Sequence, residues 1–239
     1  MIKKKIGVIG CGKWGAKVIN ELKSIANIKF IYNSKDNYKI FEPNIDWVFV
    51  LTPDKTHYKI VKFFINKKIN VFCEKPLALN TQHIKNLLSL SKKFKTKLYI
   101  DDVENFKDKI IKPNNNINNI IRTKKDSGTA KSLLNRLAYH DFYFLYDKLK
   151  KEKINNIKII NVKDNLEFEI IFGKKTFSFY YDLNVEKKIH KFNSVNLITR
   201  KDILSKMIKD VLNEKVNFEN NKNKSLFANK IIDKIIKKL

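Results

Sequence analysis

Three short segments carry residue types at spacings that can do chemistry. The first is Gly10-Cys11-Gly12-Lys13-Trp14-Gly15, a G-x-G-x-x-G run directly after the apolar Ile6-Gly7-Val8-Ile9. Between a strand and a helix, glycines at this spacing allow a tight turn and a close backbone approach to a pyrophosphate. The helix N-terminus then offers N–H groups and a positive dipole end to the anion. The second is Cys73-Glu74-Lys75-Pro76, which ends another apolar run. Ligands of open α/β sheets bind beyond the carboxyl ends of the strands. Position, not residue type, therefore singles out Lys75 in a lysine-rich chain, and Pro76 fixes the backbone after it. The third is Leu137-Ala138-Tyr139-His140-Asp141, in a chain whose only histidines are His57, His83, His140 and His190. A histidine beside an aspartate can act as a general base near neutral pH. Local sequence alone fits a helix histidine with a solvated aspartate equally well.

Around twenty residues past the glycine turn, at the end of a second strand, lies the position that discriminates between dinucleotides. The sequence there is Tyr32-Asn33-Ser34-Lys35-Asp36. An acid at position 33 would bind both ribose hydroxyls and repel a 2′-phosphate. Asn33 does not repel it, and Ser34 and Lys35 can bind it, so the reading leans to NADP. Asp36 keeps NAD open, because a shift of a few residues would make it the ribose ligand.

The elements that must position these segments alternate through the first part of the chain. Apolar runs at 6–9, 28–32, 46–51, 70–73 and 97–100 read as strands. Helical spacing of apolar residues marks 16–24, 55–66 and a helix from about 81 to 94, with Asn80-Thr81 as its N-cap. This alternation predicts βαβ units, hence an α/β fold with an N-terminal Rossmann parallel sheet, over residues 1–103. The pattern then changes. The polar break at 112–116 reads as a turn, followed by a strand at 117–123 and a helix at 132–150. Strand-like runs follow at 157–162, 166–172 and 176–181, with Gly173 at a hairpin and weaker strands between 188 and 198. Helices are expected at 203–213 and 223–239. Residues 104–239 thus read as an α+β domain with a mostly antiparallel open sheet.

Taken together and in order, these motifs resemble the Gfo/Idh/MocA family of NAD(P)-dependent oxidoreductases. The similarity is closest to the branch acting on nucleotide-linked sugars in surface polysaccharide synthesis. It is carried by IGVIGCGKWG, by DWVFVLTPDKTHYKIVKFFINKKINVFCEKPLALN and by LAYHD. It is also carried by DILSKMIKDVLNEKV and NKSLFANKIIDKI near the C-terminus. The resemblance implies roles residue by residue. Lys75 and His140 would be catalytic, Lys75 beside the nicotinamide and the reacting carbinol, His140 as acid–base partner. Gly10, Cys11, Gly12, Lys13, Trp14 and Gly15 would line the cofactor. Asn33, Ser34 and Lys35 would meet its ribose end. Leu51, Thr52, Pro53 and His57 would form the wall, and Glu74 would buttress it. Lys75, Asp102, Arg136, His140 and Asp141 would hold the sugar. Four residues before the histidine, where the family usually has Asp, stands Arg136, which can hold a carboxylate or phosphate. Where relatives have Gly-His or Gly-Tyr after the fifth strand stand Asp101 and Asp102. The second half is short for the family.

Composition sets the background. The 239 residues carry a formal net charge of +26, almost all of it lysine: the only arginines are Arg122, Arg136 and Arg200. Sequence-reading proteins use arginine for bidentate contacts, and Lys, Asn and Ile share AT-rich codons. The charge therefore reads as composition, suits small phosphorylated ligands, and does not predict nucleic acid as a partner. No apolar run is long enough for a membrane helix, and the N-terminus runs straight into a strand without room for a signal peptide. Cys11 and Cys73 stand alone, so no metal site is expected, and a reducing cytoplasmic setting follows. A homodimer or homotetramer through the C-terminal sheet is expected. Two rival readings remain: a catalytically inactive nucleotide-binding relative and, on charge alone, a nucleic-acid binder.

Overall fold

The computed structural model describes residues 3–125, 129, 132–163, 165–199 and 202–239. Two units form: Met1–Phe106 with Asp202–Leu226, and Lys107–Lys201 with Phe227–Leu239.

The first unit contains β1 (Lys5–Ile9), α1 (Lys13–Ile25), β2 (Asn27–Tyr32), β3 (Trp47–Val50), α2 (Asp54–Asn66), β4 (Asn70–Cys73), α3 (Thr81–Lys93) and β5 (Leu98–Ile100). The five strands form one parallel sheet in the order β2-β1-β3-β4-β5. Each of β3 and β4 is apolar at nearly every position because both faces are covered. Phe49 and Phe72 stack across this strand pair with ring centroids 4.5 Å apart. The helix at 81–93 begins where Asn80 accepts the His83 N–H, as the N-cap reading expected. Helix α1 begins at Lys13, three residues earlier than its apolar spacing alone indicates, because the glycine turn leads directly into it.

Helix α5 (Ile203–Leu212) and the start of α6 (Phe218–Ile236) also belong to this unit. Met207, Ile208, Val211 and Leu212 join the core made by α1 and Trp47. Phe218 lies against Trp47 and Tyr99. The Asn221 side chain accepts the Ile100 N–H and donates to the Ile100 carbonyl, both at 2.8 Å, which completes the free edge of β5.

The second unit contains β6 (Ile117–Thr123), a π-helical turn (Leu134–Ala138) running into α4 (Tyr139–Leu149), then β7 (Ile154–Asn161), β8 (Leu166–Phe172), β9 (Lys175–Asp182), β10 (Ile189–Phe192) and β11 (Val195–Asn196). The sheet order is β11-β10-β6-β9-β8-β7. Only β6 and β9 pair in parallel; the other neighbours are antiparallel. Strands β8 and β9 alternate strictly. Phe168, Phe172, Phe177, Phe179 and Tyr181 point inward, and Phe168 and Phe179 meet Phe142 of α4. Glu167, Glu169, Ser178 and Tyr180 lie on the other face, where Ile117 and Ile121 of β6 are exposed. Gly173 turns the β8–β9 hairpin at φ +58°. Among the described residues, no helix is long and apolar enough to cross a membrane.

Candidate active site

The candidate residues of the first unit gather along the carboxyl ends of its strands. One row of backbone hydrogen bonds crosses that edge. Gly10 donates to Tyr32, Leu51 to Ile9, Glu74 to Val50 and Asp101 to Cys73, all between 2.7 and 2.9 Å. This row places Gly10, Leu51, Glu74 and Asp101 side by side, at the end of the sheet where α/β folds bind ligands.

The glycine turn fits a dinucleotide pyrophosphate. Gly10 adopts φ +102°, and a Cβ there would sit 2.6 Å from the Leu51 carbonyl oxygen. A side chain at Gly15 would run into the Gly10 carbonyl, so that glycine lets α1 pack close to the turn. Gly12 is different: a Cβ would meet nothing within 4 Å. The space over Gly12 is open, Gly12 caps α1 without any side-chain bond, and the first turn of α1 carries no acid. An uncapped N-terminus with open space above it is an anion cradle. Cys11 and Lys13 are exposed on this turn, and Trp14 is half-buried with its indole N–H enclosed and unpartnered.

At the end of β2, Asn33, Ser34, Lys35 and Asp36 are all exposed. The Asp36 carboxylate accepts the Asn33 N–H at 2.7 Å, and the Asn33 side chain accepts the Lys35 N–H at 2.8 Å. Asp36 is thus folded back onto the turn, while Asn33 itself follows the last residue of β2.

His57 ties the next two strand ends together. Its Nδ1 lies 2.7 Å from the Pro76 carbonyl oxygen and its Nε2 2.7 Å from that of Thr52. The Thr56 hydroxyl donates to the Thr52 hydroxyl and holds the same loop. Burial lowers the affinity of His57 for a proton, against the pull of the two carbonyls and Asp54. Lys75 and Glu74 are half-buried after β4, followed by a cis bond to the buried Pro76. Burial raises the Glu74 carboxyl, and the Lys75 ammonium opposes this.

Asp101 and Asp102 follow β5 and are both buried, yet they face different neighbours. Asp102 receives a short hydrogen bond from the Tyr99 hydroxyl, and Asn221 and Lys224 of α6 also act on it. Burial raises its carboxyl against these partners. Asp102 is thus engaged by the core on the α6 side. Asp101 interacts with Glu74 and Lys75.

In the second unit, Arg136 and His140 lie four residues apart, both half-buried, where the π-helical turn meets α4. Asp141, the next residue, points into the core. It accepts from His190 Nε2 at 2.8 Å and from Arg122 at 3.4 Å. The charges of His190 and Arg122 outweigh burial and hold the Asp141 carboxyl below its ordinary value. Lys107 Nζ lies 3.2 Å from the other nitrogen of His190. Sequence reasoning missed Tyr99, Asn221, Arg122 and His190 as partners of its candidate acids. The scarcity of arginine and histidine was the one available signal for the last two. Among the described residues, no three metal-ligating side chains cluster.

Comparison with known proteins bears on the fold. The family described as "Oxidoreductase family, NAD-binding Rossmann fold", Gfo/Idh/MocA, matches residues 31–101. A myo-inositol 2-dehydrogenase of Thermotoga maritima is 31% identical over 112 residues, which is 37% of this chain and 33% of the relative. The matched region thus spans a third of the length of that curated relative. The solved UDP-N-acetylglucosamine 3-dehydrogenase of Acidithiobacillus ferrooxidans superposes with a TM-score of 0.83 at 13% identity, over 98% of this chain and 96% of that one. The WlbA dehydrogenase of Thermus thermophilus, solved in complex with NAD and UDP-GlcNAcA, gives 0.75 at 10% identity, over 96% and 94%. At such identities the likeness is one of fold. Residues 31–101 thus match the NAD-binding Rossmann fold of the Gfo/Idh/MocA oxidoreductase family, and the chain as a whole shares the fold of these solved dehydrogenases.

Proposed function

We propose that this protein binds a nicotinamide dinucleotide, NADP in preference to NAD, and moves a hydride to or from a hydroxyl-bearing carbon of a sugar. The sugar is nucleotide-linked and the setting is surface polysaccharide synthesis. The observation that carries the reading is the shared strand-end row, which sets Lys75 on the same edge as the open cradle over Gly12. The bound nicotinamide supplies or accepts the hydride. Lys75 offers an ammonium to the developing alkoxide, and His140 exchanges the hydroxyl proton. The lean to NADP rests on Asn33 in place of an acid, with Lys35 exposed beside it and Asp36 occupied by the Asn33 N–H. The nucleotide-sugar assignment is supported by the names of two fold neighbours, a UDP-N-acetylglucosamine 3-dehydrogenase and a protein solved with UDP-GlcNAcA. Two copies pair through the outer face of the second sheet, around Ile117 and Ile121.

The test is a thermal-shift series with NADPH and NADH, followed by a nucleotide-sugar screen read at the nicotinamide absorbance band. Binding of NADPH above NADH, turnover with one UDP-sugar and its loss in Lys75→Ala are expected. If neither nucleotide shifts the melting curve, the reading fails. A second reading, a nucleotide-binding relative without turnover, is favoured by Arg136 and by the inward engagement of Asp102. Binding without activity on any sugar would select it.

A further inference from the structure

Glu74 and Asp101 each follow the last residue of neighbouring parallel strands. The register pairing Cys73 with Ile100 therefore brings the two acids next to each other. Asp101 is 1% exposed. Its Oδ1 accepts the Val103 N–H at 3.0 Å, while its Oδ2 is enclosed without a hydrogen-bond partner. A buried carboxylate oxygen with no donor is costly, whereas the same oxygen carrying a proton is far less so. Burial first, and then the Glu74 charge, push Asp101 well up, while Lys75 pulls it down. Other titratable groups also stand here. Cys73 and Tyr99 are both held neutral by burial, and Asp102 is engaged by Tyr99 and Lys224. Two acids on adjacent strand ends, one of them fully buried, resist ionising together.

We propose that Glu74 and Asp101 act as one unit that shares a single proton, and that its single negative charge keeps Lys75 an ammonium. Asp101 is a positioning residue in this scheme: it acts on Lys75 and needs no contact with substrate. The use of that ammonium for an alkoxide rests on the function proposed above; the charge count does not.

The experiment compares wild type, Glu74→Gln, Asp101→Asn and the double variant. Acetic anhydride labelling of Lys75 across pH is read by mass spectrometry and normalised to the exposed Lys68. Each single variant leaves one carboxylate with one negative charge, so labelling at pH 8 stays within about twofold of wild type. The double variant has no charge, and labelling rises about tenfold, the equivalent of a one-unit shift. If each single variant accounts for half of the double's logarithmic change, two independent charges are present and the proposal is overturned. A silent double variant overturns it as well. Infrared spectra at pH 7 read the proton directly and do not need the double variant. Wild type shows the C=O stretch of a buried protonated carboxyl, and either single variant loses it. Absence of the band in wild type refutes the shared proton. NADPH binding, measured in parallel, tests the functional reading alone, because loss of binding leaves both labelling and spectra interpretable.

Discussion

Removing the His57 ring tests how the strand ends after β3 and β4 are held together. The side chain is 1% exposed and reaches two carbonyl acceptors, Pro76 and Thr52, at 2.7 Å each. A neutral imidazole has one N–H and serves one of them; an imidazolium serves both. The two carbonyls thus favour a second proton, and burial opposes it. Burial is the larger effect, so the folded protein binds that proton less readily than the ordinary value of 6.5. His57→Ala leaves a buried carbonyl without its donor, about 1–3 kcal/mol, and opens a cavity of about 1–2 kcal/mol. The total is about 2–5 kcal/mol, a fall of about 4–20 °C in Tm for a protein of this size. Urea unfolding of both proteins at pH 7.5 and pH 5.0 provides the assay. A lowered proton affinity in the folded state means that the unfolded chain takes up the proton first as pH falls. The stability owed to neutral His57 is therefore complete above 6.5 and is lost as pH drops below it toward the folded value. The gap between wild type and variant should narrow at pH 5.0. A gap that widens there would show that the two carbonyls hold an imidazolium, and the reasoning would be wrong.

Two glycine substitutions should separate folding from binding. Gly10→Ala forces a side chain at φ +102° against the Leu51 carbonyl, a loss of about 1–3 kcal/mol from backbone conformation alone, measured as a lower urea midpoint. Gly12→Ala meets open space and should leave the midpoint within about 0.5 kcal/mol, yet weaken NADPH at least tenfold in a fluorescence titration. Asn221→Ala strips both hydrogen bonds from the Ile100 backbone, and unfolding should read a loss of about 2–4 kcal/mol. Asp141→Asn removes the anion between Arg122 and His190, at about 3 kcal/mol near pH 7. Because the folded carboxyl lies below its ordinary 3.8, that stability is present above 3.8 and disappears as pH falls through the folded value. The difference should close in unfolding curves taken at strongly acid pH.

Local physics made much of this protein legible from its residues. The β1 strand, its glycine turn and α1 follow from apolar patterning and glycine chemistry over about twenty residues. So do the Asn80 cap, the strands Asn70–Cys73 and Leu166–Phe172, and the placing of Lys75 at a strand end. These depend on neighbours in the chain, whose spacing maps directly onto a period of two or 3.6. What the chain alone could not decide is which surface meets which. Asn221 reaches Ile100 across 121 residues, and α5 packs on α1 from nearly two hundred residues further along the chain. Asp101 and Asp102 look alike in sequence, but one faces Glu74 and Lys75 while the other is taken up by Tyr99 and Lys224. Arg122, Asp141 and His190 come from β6, α4 and β10 to make one buried ion group. An amphipathic face states only that it must be covered. Its partner, and with it the charge that a buried acid keeps, is decided when distant elements close over it.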